Sequence, residues 1–382
     1  MSVTFPKLLF FTGGTALRNL SICLAQNSVP SIHLVTMFDS GGSTAELRRS
    51  LAIPALGDIR NRMLALADTS IMPKGFLAAL SYRCPTDIDN LTLKSDIKTY
   101  ATTNHPMWHG IDSDIANHLA FCLDFLLQRL PANFNFQGAS LGNLILAGLY
   151  LHNNRDFGPT LDYLKRVLGV KGTVLPIVDE CLNLGCELSD GSFVVGQHQF
   201  KNLLLPIRRI FLTVHEPRLA TSITKDDICH PKISKLASRW FELANLICYP
   251  MGSFYSSVVV NLLVRGVAKR IHTAKCPKVF IPNLGFDPEL KDLSIDEQVE
   301  TILNVLRCDD PQAQTRDLLN YVLIDSCHGD YQGRLTKKTK TNLEQMGLTV
   351  IDKKLSASPK SSRHDPQKTL EALVFLANVN KQ

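Results

Sequence analysis

The segment of residues 32–68 constrains the fold more than any other part of the chain. Residues 32–37 form an apolar run that predicts a buried strand, and the polar sequence Asp39-Ser-Gly-Gly-Ser-Thr-Ala-Glu-Leu-Arg48 follows it. The apolar periodicity of residues 58–68 then predicts a helix. A strand that ends in an acid and two glycines before a helix is typical of open α/β sheets, which bind ligands at the carboxyl ends of their strands.

The residue types in this turn favour a phosphorylated ligand. Glycines lack the Cβ that would keep a ligand away from the backbone, and a helix start offers unpaired N–H groups and the positive end of a dipole. Asp39 is placed to orient a ribose, a base or a metal ion, while Ser43 and Thr44 either cap a helix or bind phosphate. Capping explains Arg60 and Asn61 less easily, so they are candidates for the same site.

Apolar runs alternate with amphipathic segments along most of the chain. This alternation predicts an α/β protein with a Rossmann-like, doubly wound, mostly parallel sheet and helices on both of its faces. Residues 187–195 predict a hairpin with a tight turn at Asp190-Gly191. We expect one domain over residues 1–382 with a small inserted β segment at about residues 172–215. The predicted strands lie at residues 8–11, 31–37, 173–178, 207–214, 246–249, 279–281, 321–324 and 349–352, and the predicted helices at residues 16–25, 58–68, 114–130, 144–152, 162–167, 233–242, 258–271, 296–306, 339–346 and 367–379.

Composition narrows the class of partner. The net charge of +6 over 382 residues is mild, and the sequence has no block of Lys and Arg with interleaved aromatics, so nucleic acid is not an expected partner. No apolar run reaches the length of a membrane span, and the first eleven residues lack the apolar core of a signal peptide. Ten cysteines without a Cys-x-x-Cys pair predict reduced thiols. We therefore expect a cytoplasmic protein without a membrane partner.

Three further turns combine glycine with hydroxyl side chains. Thr12-Gly13-Gly14-Thr15 follows the first strand, but it lacks the third glycine of a dinucleotide fingerprint and the lysine of a P-loop. The segment Gly138-Ala-Ser-Leu-Gly-Asn143 resembles a nucleophile elbow around Ser140, although no acid and histidine follow in a convincing order. In Gly252-Ser-Phe-Tyr-Ser-Ser257, Tyr255 either stacks on a ligand or packs in the core.

These motifs, taken in order along the chain, resemble the CofD superfamily. That family includes the 2-phospho-L-lactate transferase of deazaflavin coenzyme biosynthesis and the YvcK-type gluconeogenesis factors, which bind nucleotide sugars. The resemblance covers the segments 12–15, 39–48, 57–61, 140–143, 252–264 and 363–366. The chain departs from the family pattern at Ser40, where a second acid is usual, at Ala139, at Ala16 and across residues 284–290. These departures make it most similar to the divergent branch of GAK-system CofD-like proteins.

The resemblance implies a cleft for a nucleoside diphosphate group, with a small-molecule ligand of the GDP, GTP or UDP-sugar type. It implies that Asp39 is catalytic and binds a metal ion, Mg²⁺, and that the protein is a homodimer. Two functions follow: transfer of a phospho-linked group from a nucleotide-activated donor, as in the phospholactate transferase, or non-catalytic regulation by a bound nucleotide sugar. The implied nucleotide and phosphate contacts come from Gly13, Gly14, Thr15, Gly41, Gly42, Ser43, Arg60, Asn61, Ser140, Gly142, Asn143, Gly252, Ser253 and Tyr255.

Overall fold

Seven parallel strands form the main sheet of the protein. The computed structural model describes residues 5–216, 218–220, 222–291 and 293–379. The order of the strands across the main sheet is β11-β10-β9-β8-β1-β2-β3, and each neighbouring pair runs parallel. Its strands are β1 (Leu8–Thr12), β2 (Ser31–Val35), β3 (Thr173–Pro176), β8 (Leu246–Tyr249), β9 (Lys278–Phe280), β10 (Tyr321–Ile324) and β11 (Thr349–Asp352).

A second, antiparallel sheet lies between β3 and β8 in the chain. Its strand order is β6-β4-β5-β7, and its strands are β4 (Asn183–Leu188), β5 (Phe193–Val195), β6 (Ile207–Thr213) and β7 (Arg218–Ala220). The hairpin predicted at residues 187–195 is present, and Gly191 takes a φ of 86° in its turn. The predicted inserted segment differs in extent, because its first strand, β3, belongs to the main sheet and the second sheet begins only at Asn183.

Helices cover both faces of the main sheet. They are α1 (Arg18–Gln26), α2 (Gly42–Leu51), α3 (Gly57–Ala65), α4 (Lys74–Ser81), α5 (Asn90–Tyr100), α6 (Ser113–Leu127), α7 (Leu141–His152), α8 (Phe157–Val167), α9 (Lys235–Ser238), α10 (Val260–Leu262), α11 (Val267–Thr273), α12 (Ile295–Asp309), α13 (Thr315–Leu318), α14 (Lys337–Gln345) and α15 (Pro366–Asn378). Short 3₁₀ segments lie at Pro106–Trp108, Gln197–Asn202 and Lys225–Asp227, and a π-helical segment at Phe254–Val259.

The central strand β1 illustrates how the core is divided. Successive side chains of a strand point to opposite faces. Leu8 and Phe10 belong to a buried cluster that includes α1 and α15. Leu9 and Phe11 belong to a larger cluster that includes α3, α7 and α12 and continues into β4 of the second sheet. The predicted doubly wound α/β architecture is therefore confirmed, whereas the single-domain organisation stays a prediction.

The order of the strands creates a switch point between β1 and β8. The chain builds outwards from β1 through β2 to β3, then returns to β8 and builds in the opposite direction through β9 to β11. The loops after β1 and β8 therefore diverge and leave a crevice at the carboxyl edge of the sheet, where open α/β proteins bind ligands. Three of the four glycine-containing turns recognised in the sequence follow β1, β2 and β8, and so lie at this edge.

Several helices differ from the sequence prediction. The helix α2 begins inside the glycine motif, at Gly42, and neither it nor α4 and α5 was expected. The helix predicted at residues 233–242 contains only the four residues of α9. The helix predicted at residues 258–271 is interrupted, because Gly266 has a φ of 90° and starts α11 anew after the π-helical segment and α10. Within the described residues, no helix is long and apolar enough to cross a bilayer.

Close packing of α6 on α7 gives a test of the fold. A Cβ added at Gly148 of α7 would overlap the backbone carbonyl of Cys122 in α6, whereas a Cβ at Gly75 of α4 would have no neighbour within 4 Å. We predict that Gly148→Ala lowers the free energy of unfolding by about 2–3 kcal/mol. The matched control Gly75→Ala leaves the free energy of unfolding unchanged or raises it by about 0.5 kcal/mol, because alanine has a higher helix propensity than glycine. Urea denaturation measures both, and equal effects of the two substitutions would contradict the packing described.

Candidate functional site

A cavity of about 220 Å³ lies at the switch point. Its wall combines the turn after β1, the residues after β2, the first turn of α3 and the start of the π-helical segment. Five of the residues predicted from the sequence line it: Gly14, Thr15, Asp39, Asn61 and Ser253. The other lining residues are Ala16, Thr36, Asp58, Gln197, Ser256 and Ser257. We call it the carboxylate cavity, because the acids of Asp39 and Asp58 both face it.

A buried arginine holds the turn after β1 in place. Arg62 of α3 is 1% exposed, and its guanidinium donates to Thr12 Oγ1 at 2.6 Å, to the Gly13 carbonyl at 3.0 Å and to the Gly14 carbonyl at 3.2 Å. It also donates to the hydroxyl of Ser21 in α1. Burial lowers the pKa of Arg62 to about 10, so the guanidinium stays charged at neutral pH. One side chain therefore fixes the carbonyls of both predicted glycines.

Two carboxylates, those of Asp39 and Asp58, line the carboxylate cavity. Asp39 follows β2, and its Oδ1 accepts a hydrogen bond of 3.0 Å from the backbone N–H of Gly41. Asp58 lies in the first turn of α3. Burial, together with the charge of Asp39, raises the pKa of Asp58 to about 7, although Arg62 and Arg60 oppose this shift. The two acids therefore repel each other across a partly desolvated space, which is a common feature of ligand and metal sites.

The sequence did not reveal the role of Asp58. Its position after Gly57 indicated a helix cap, but the N-cap of α3 is Leu56 and no side chain caps this helix. The carboxylate instead contacts the turn after β1, since a Cβ added at Gly14 would lie 3.1 Å from Asp58 Oδ1. Asp58 stands in the segment Gly57-Asp58-Ile59-Arg60-Asn61, from which the sequence analysis assigned only Arg60 and Asn61 to the site. Asp58 thus supplies a second carboxylate to the cavity, beside that of Asp39.

Two buried oxygens near the acids lack a partner. Thr36 Oγ1, which belongs to a lining residue, and Asn143 Oδ1 are both buried and have no hydrogen-bond partner in the described part of the chain. The side chains of Asn143 and Asp39 both lie beside Gly57, because a Cβ added there would lie 3.6 Å from Asn143 Nδ2 and 3.8 Å from Asp39 Oδ2. Buried polar groups are seldom left unsatisfied. Oxygen donors around two acids suit a hard cation such as Mg²⁺.

The chemistry of this donor set matches Mg²⁺ better than a transition metal. Within the described residues, no group of three or more His, Cys, Asp or Glu side chains is arranged to hold a metal ion. Mg²⁺ usually needs only one or two carboxylates, because water and the phosphates of a ligand complete its coordination. The residues present therefore fit Mg²⁺ bound together with a phosphorylated ligand.

A second cluster, which we call the arginine cluster, lies beside Asn143. Arg60 of α3 donates to the hydroxyl of Ser140 and, at 2.7 Å, to Asn61 Oδ1. Arg83 donates to the Gly138 carbonyl at 2.7 Å and reaches Ser43 Oγ at 3.4 Å. Burial and the charge of Arg83 lower the pKa of Arg60 to about 10. Two cations so close together favour an anionic group nearby.

The remaining predicted residues near these clusters have structural contacts. Ser140 is the N-cap of α7 and accepts from the Asn143 N–H at 3.4 Å, which argues against a free nucleophile. Gly142 packs so tightly that a Cβ would overlap the Leu80 carbonyl, and a Cβ at Gly13 would overlap the Ser257 hydroxyl. Gly42 begins α2 with a φ of 50°. Ser43 lies within the first turn of α2, whose N-cap, Gly41, has no side-chain cap.

The backbone N–H groups at the start of the π-helical segment already donate hydrogen bonds to protein carboxylates. Asp287 accepts from the Phe254 N–H at 3.1 Å, and Glu289 accepts from the Tyr255 and Ser256 N–H groups at 2.8 and 2.9 Å. Burial, with a contribution from Asp287, raises the pKa of Glu289 to about 7. These three N–H groups are therefore not available to the phosphate that the sequence led us to expect at this helix start.

Gly252 precedes this π-helical segment, and Tyr255 is its second residue. The Tyr255 side chain is 4% exposed and belongs to the core, where burial raises the pKa of its hydroxyl to about 12. It does not line the carboxylate cavity. Gly252 lines an adjoining cavity of about 420 Å³, and its N–H donates to Asn283 Oδ1 at 2.8 Å.

The second sheet contributes two residues that the sequence analysis missed. The 3₁₀ segment Gln197–Asn202 follows β5, and its first residue, Gln197, lines the carboxylate cavity. Gln197 Nε2 donates to Ser256 Oγ at 3.4 Å, and His198 Nδ1 lies 3.0 Å from Ser40 Oγ. The segment therefore contacts the loop after β2 and the π-helical segment. Contacts between residues so far apart in sequence give no local signal.

The fold and the site define a Rossmann-like α/β protein with a ligand cleft at the switch point. Comparison with known families then identifies the chain. The model of the family 2-phospho-L-lactate transferase CofD matches residues 8–356. The chain belongs to the CofD family, which confirms the resemblance seen in the sequence.

Individual relatives agree with this assignment. The gluconeogenesis factor of Bacillus subtilis is 26% identical over 382 residues, covering 97% of this chain and 98% of that protein. The putative gluconeogenesis factor of Thermotoga maritima is 28% identical over 284 residues, covering 74% of this chain and 69% of that protein. A solved structure of a UPF0052 family member from Bacillus halodurans has the same fold, with a TM-score of 0.68, 24% identity and coverage of 97% of this chain and 99% of that chain.

The raised pKa of Asp58 makes stability depend on pH. The folded state binds a proton at Asp58 up to a pH of about 7, whereas the unfolded state loses it near pH 3.8. Stability therefore falls as pH rises through this window and levels off above it. We predict that Asp58→Asn makes this dependence shallower and raises the free energy of unfolding at pH 8 by about 2 kcal/mol, because it removes a buried charge. The dependence that remains is due to Glu289, whose pKa burial also raises to about 7.

Denaturation of wild type and variant between pH 5 and 8 measures this effect. The control Asp124→Asn, on the exposed face of α6, should reproduce the wild-type profile, so that a general effect of removing one acid is separated from the effect of this site. If Asp58→Asn and wild type kept the same pH profile, Asp58 would not be a buried acid with a raised pKa.

Proposed function

We propose that the cleft binds the diphosphate group of a nucleotide-activated ligand together with Mg²⁺, and that Asp39 and Asp58 hold the cation. The observation that carries this proposal is the pair of acids at the switch point, with buried, unpartnered oxygens beside it. Arg62 and Arg60 oppose the shift, but burial and the charge of Asp39 still raise the pKa of Asp58 to about 7. A divalent cation removes the repulsion between the two acids.

The same arrangement supports transfer of a phospho-linked group, as in the transferase that gives the CofD family its name. When bound, Mg²⁺ neutralises charge on the diphosphate and aligns it. Arg62 keeps the turn after β1 in a fixed position for the ligand, and Arg60 and Arg83 place positive charge beside the acids. Catalysis of this kind consists of positioning and charge stabilisation, with no covalent intermediate on the protein.

A second candidate function is regulation by a bound nucleotide sugar without turnover. Two observations favour it: Ser40 stands where the family pattern has an acid, and relatives similar over their whole length are named gluconeogenesis factors. Asp58 favours the transferase, since the cleft contains two carboxylates although residue 40 is a serine. A cytoplasmic location and a homodimer are consistent with either function and remain predictions.

Ligand binding tests the shared premise of both functions. We predict that GDP or a UDP-sugar raises the melting temperature only when Mg²⁺ is present, because a ligand of the folded state stabilises it. Asp39→Asn and Asp58→Asn should each weaken this Mg²⁺-dependent binding by about tenfold or more in calorimetric titrations. Binding should tighten as pH rises through about 7, since Asp58 must lose its proton to hold the cation.

The variant Asp124→Asn again serves as control and should bind as wild type does. If GDP, GTP and UDP-sugars all fail to shift the melting temperature, both functions lose their premise. If a ligand binds, a search for turnover with and without Mg²⁺ separates them: the transferase predicts turnover that Asp39→Asn abolishes, whereas the regulator predicts none.

A further inference from the structure

A separate cavity of about 270 Å³ lies at the amino edge of the main sheet, opposite the cleft. Its wall consists of residues that precede or begin β1, β2 and β3, the last turn of α8 and the short segment after α9. We call it the lysine cavity, because Lys7, Lys165 and Lys171 line it. It shares no lining residue with the carboxylate cavity, so a ligand bound here does not occupy the cleft.

The charge of the lysine cavity is positive and largely unopposed. Its three lysines come from three separate segments of the chain, and none of the described residues that line the cavity is acidic. Lys171 Nζ pairs with Asp68 at 3.0 Å, whereas Lys7 and Lys165 form no ion pair within the described residues. Cations gathered around one space without counter-charges favour an anionic ligand there.

An indole ring supplies a flat apolar surface in the same wall. Trp240 lines the cavity, and Lys7 Nζ lies 5.7 Å from the centroid of its ring. The Nε1 atom of Trp240 is buried and has no hydrogen-bond partner within the described residues. Buried polar groups are seldom left unsatisfied, so this N–H favours an acceptor that a ligand brings.

The backbone that carries the lysines is held in place. The Lys7 N–H donates to Asn245 Oδ1 at 2.8 Å, and the Asn245 N–H donates back to the Lys7 carbonyl at 2.8 Å. The Lys171 N–H donates to the carbonyl of Leu66, which follows α3, at 2.8 Å. The lysine cavity is thus a feature of the packed sheet edge, and only the ends of the side chains need to move to admit a ligand.

We propose that the lysine cavity binds a small phosphate monoester, with the phosphate between the ammonium groups and a flat body against the indole of Trp240. Ammonium groups suit phosphate as point charges, and the indole N–H adds a donor. The volume lies just below the usual range of drug-sized pockets, so the ligand is a small one. This second site is independent of the proposed function, because it contains none of the residues of the cleft.

Tryptophan fluorescence gives a direct readout of this site. The chain has two tryptophans; Trp108 is 4% exposed and donates to the Tyr100 carbonyl at 3.2 Å, so Trp240 is the one that reports on the lysine cavity. Titration without Mg²⁺ should show saturable binding of phenyl phosphate. Inorganic phosphate, measured by calorimetry, should bind about fivefold more weakly because it lacks the ring, and uncharged phenol should not bind.

Charge-removing substitutions locate the phosphate. Lys7→Ala and Lys165→Ala should each weaken phenyl phosphate binding by about fivefold, the effect of one partly exposed charge pair. Trp240→Phe keeps an aromatic ring but removes the N–H, and calorimetry should show weaker binding for this variant as well. Lys269→Ala is the matched control, because Lys269 is exposed on α11 and lies outside the cavity.

The proposal is supported if phenyl phosphate saturates the wild-type protein and the cavity substitutions, but not Lys269→Ala, weaken its binding. It is overturned if neither fluorescence nor calorimetry detects saturable binding of phenyl phosphate. Wild-type affinity in both Lys7→Ala and Lys165→Ala would also overturn it, since the anion would then bind elsewhere. An equal loss in Lys269→Ala would do the same, because the effect would be one of overall charge.

Discussion

The site depends on one buried guanidinium. Arg62 lies under the turn after β1 and donates to Thr12 and to the carbonyls of Gly13 and Gly14, while its attachment to Ser21 ties the same turn to α1. Such an ion is costly to bury, and four hydrogen bonds offset the cost, although its Nε has no partner within the described residues. Its partners include the carbonyls that shape the edge of the cleft, so the conformation of the turn and the position of α3 are fixed together. Asp58 enters the cavity from that helix.

The two carboxylates of the cleft come from different elements, and the order of the strands in the main sheet brings these elements together. Asp39 follows β2, and Asp58 lies in the first turn of α3, which packs against β2 and β3. The space in front of them exists because the chain reverses direction between β1 and β8. Fold and site are thus linked by topology: parallel strands bring their carboxyl ends to one edge, and the switch point leaves that edge open. We propose that a divalent cation relieves the repulsion between the acids.

Much of the main sheet could be predicted from the sequence, because most of its strands are short apolar runs buried on both faces, with the edge strand β11 as the exception. The helix α2 could not, since its buried residues are Ser43, Thr44, Leu47 and Arg48 and so give almost no apolar periodicity. The motif glycines drew attention to the correct loops. The sequence analysis missed the role of Asp58 as the second carboxylate. It also missed the hydrogen bonds from the π-helical segment to Asp287 and Glu289, because both features depend on contacts between distant parts of the chain.

The central claim is that Asp39 and Asp58 hold a divalent cation against a nucleoside diphosphate. A crystal structure of the protein with Mn²⁺ and GDP or UDP, read through the anomalous signal of the metal, tests it most directly. The account predicts one strong peak within coordination distance of both carboxylates and of the diphosphate oxygens. A nucleotide bound in the cleft with the metal elsewhere, or with both carboxylates free of metal, would contradict it.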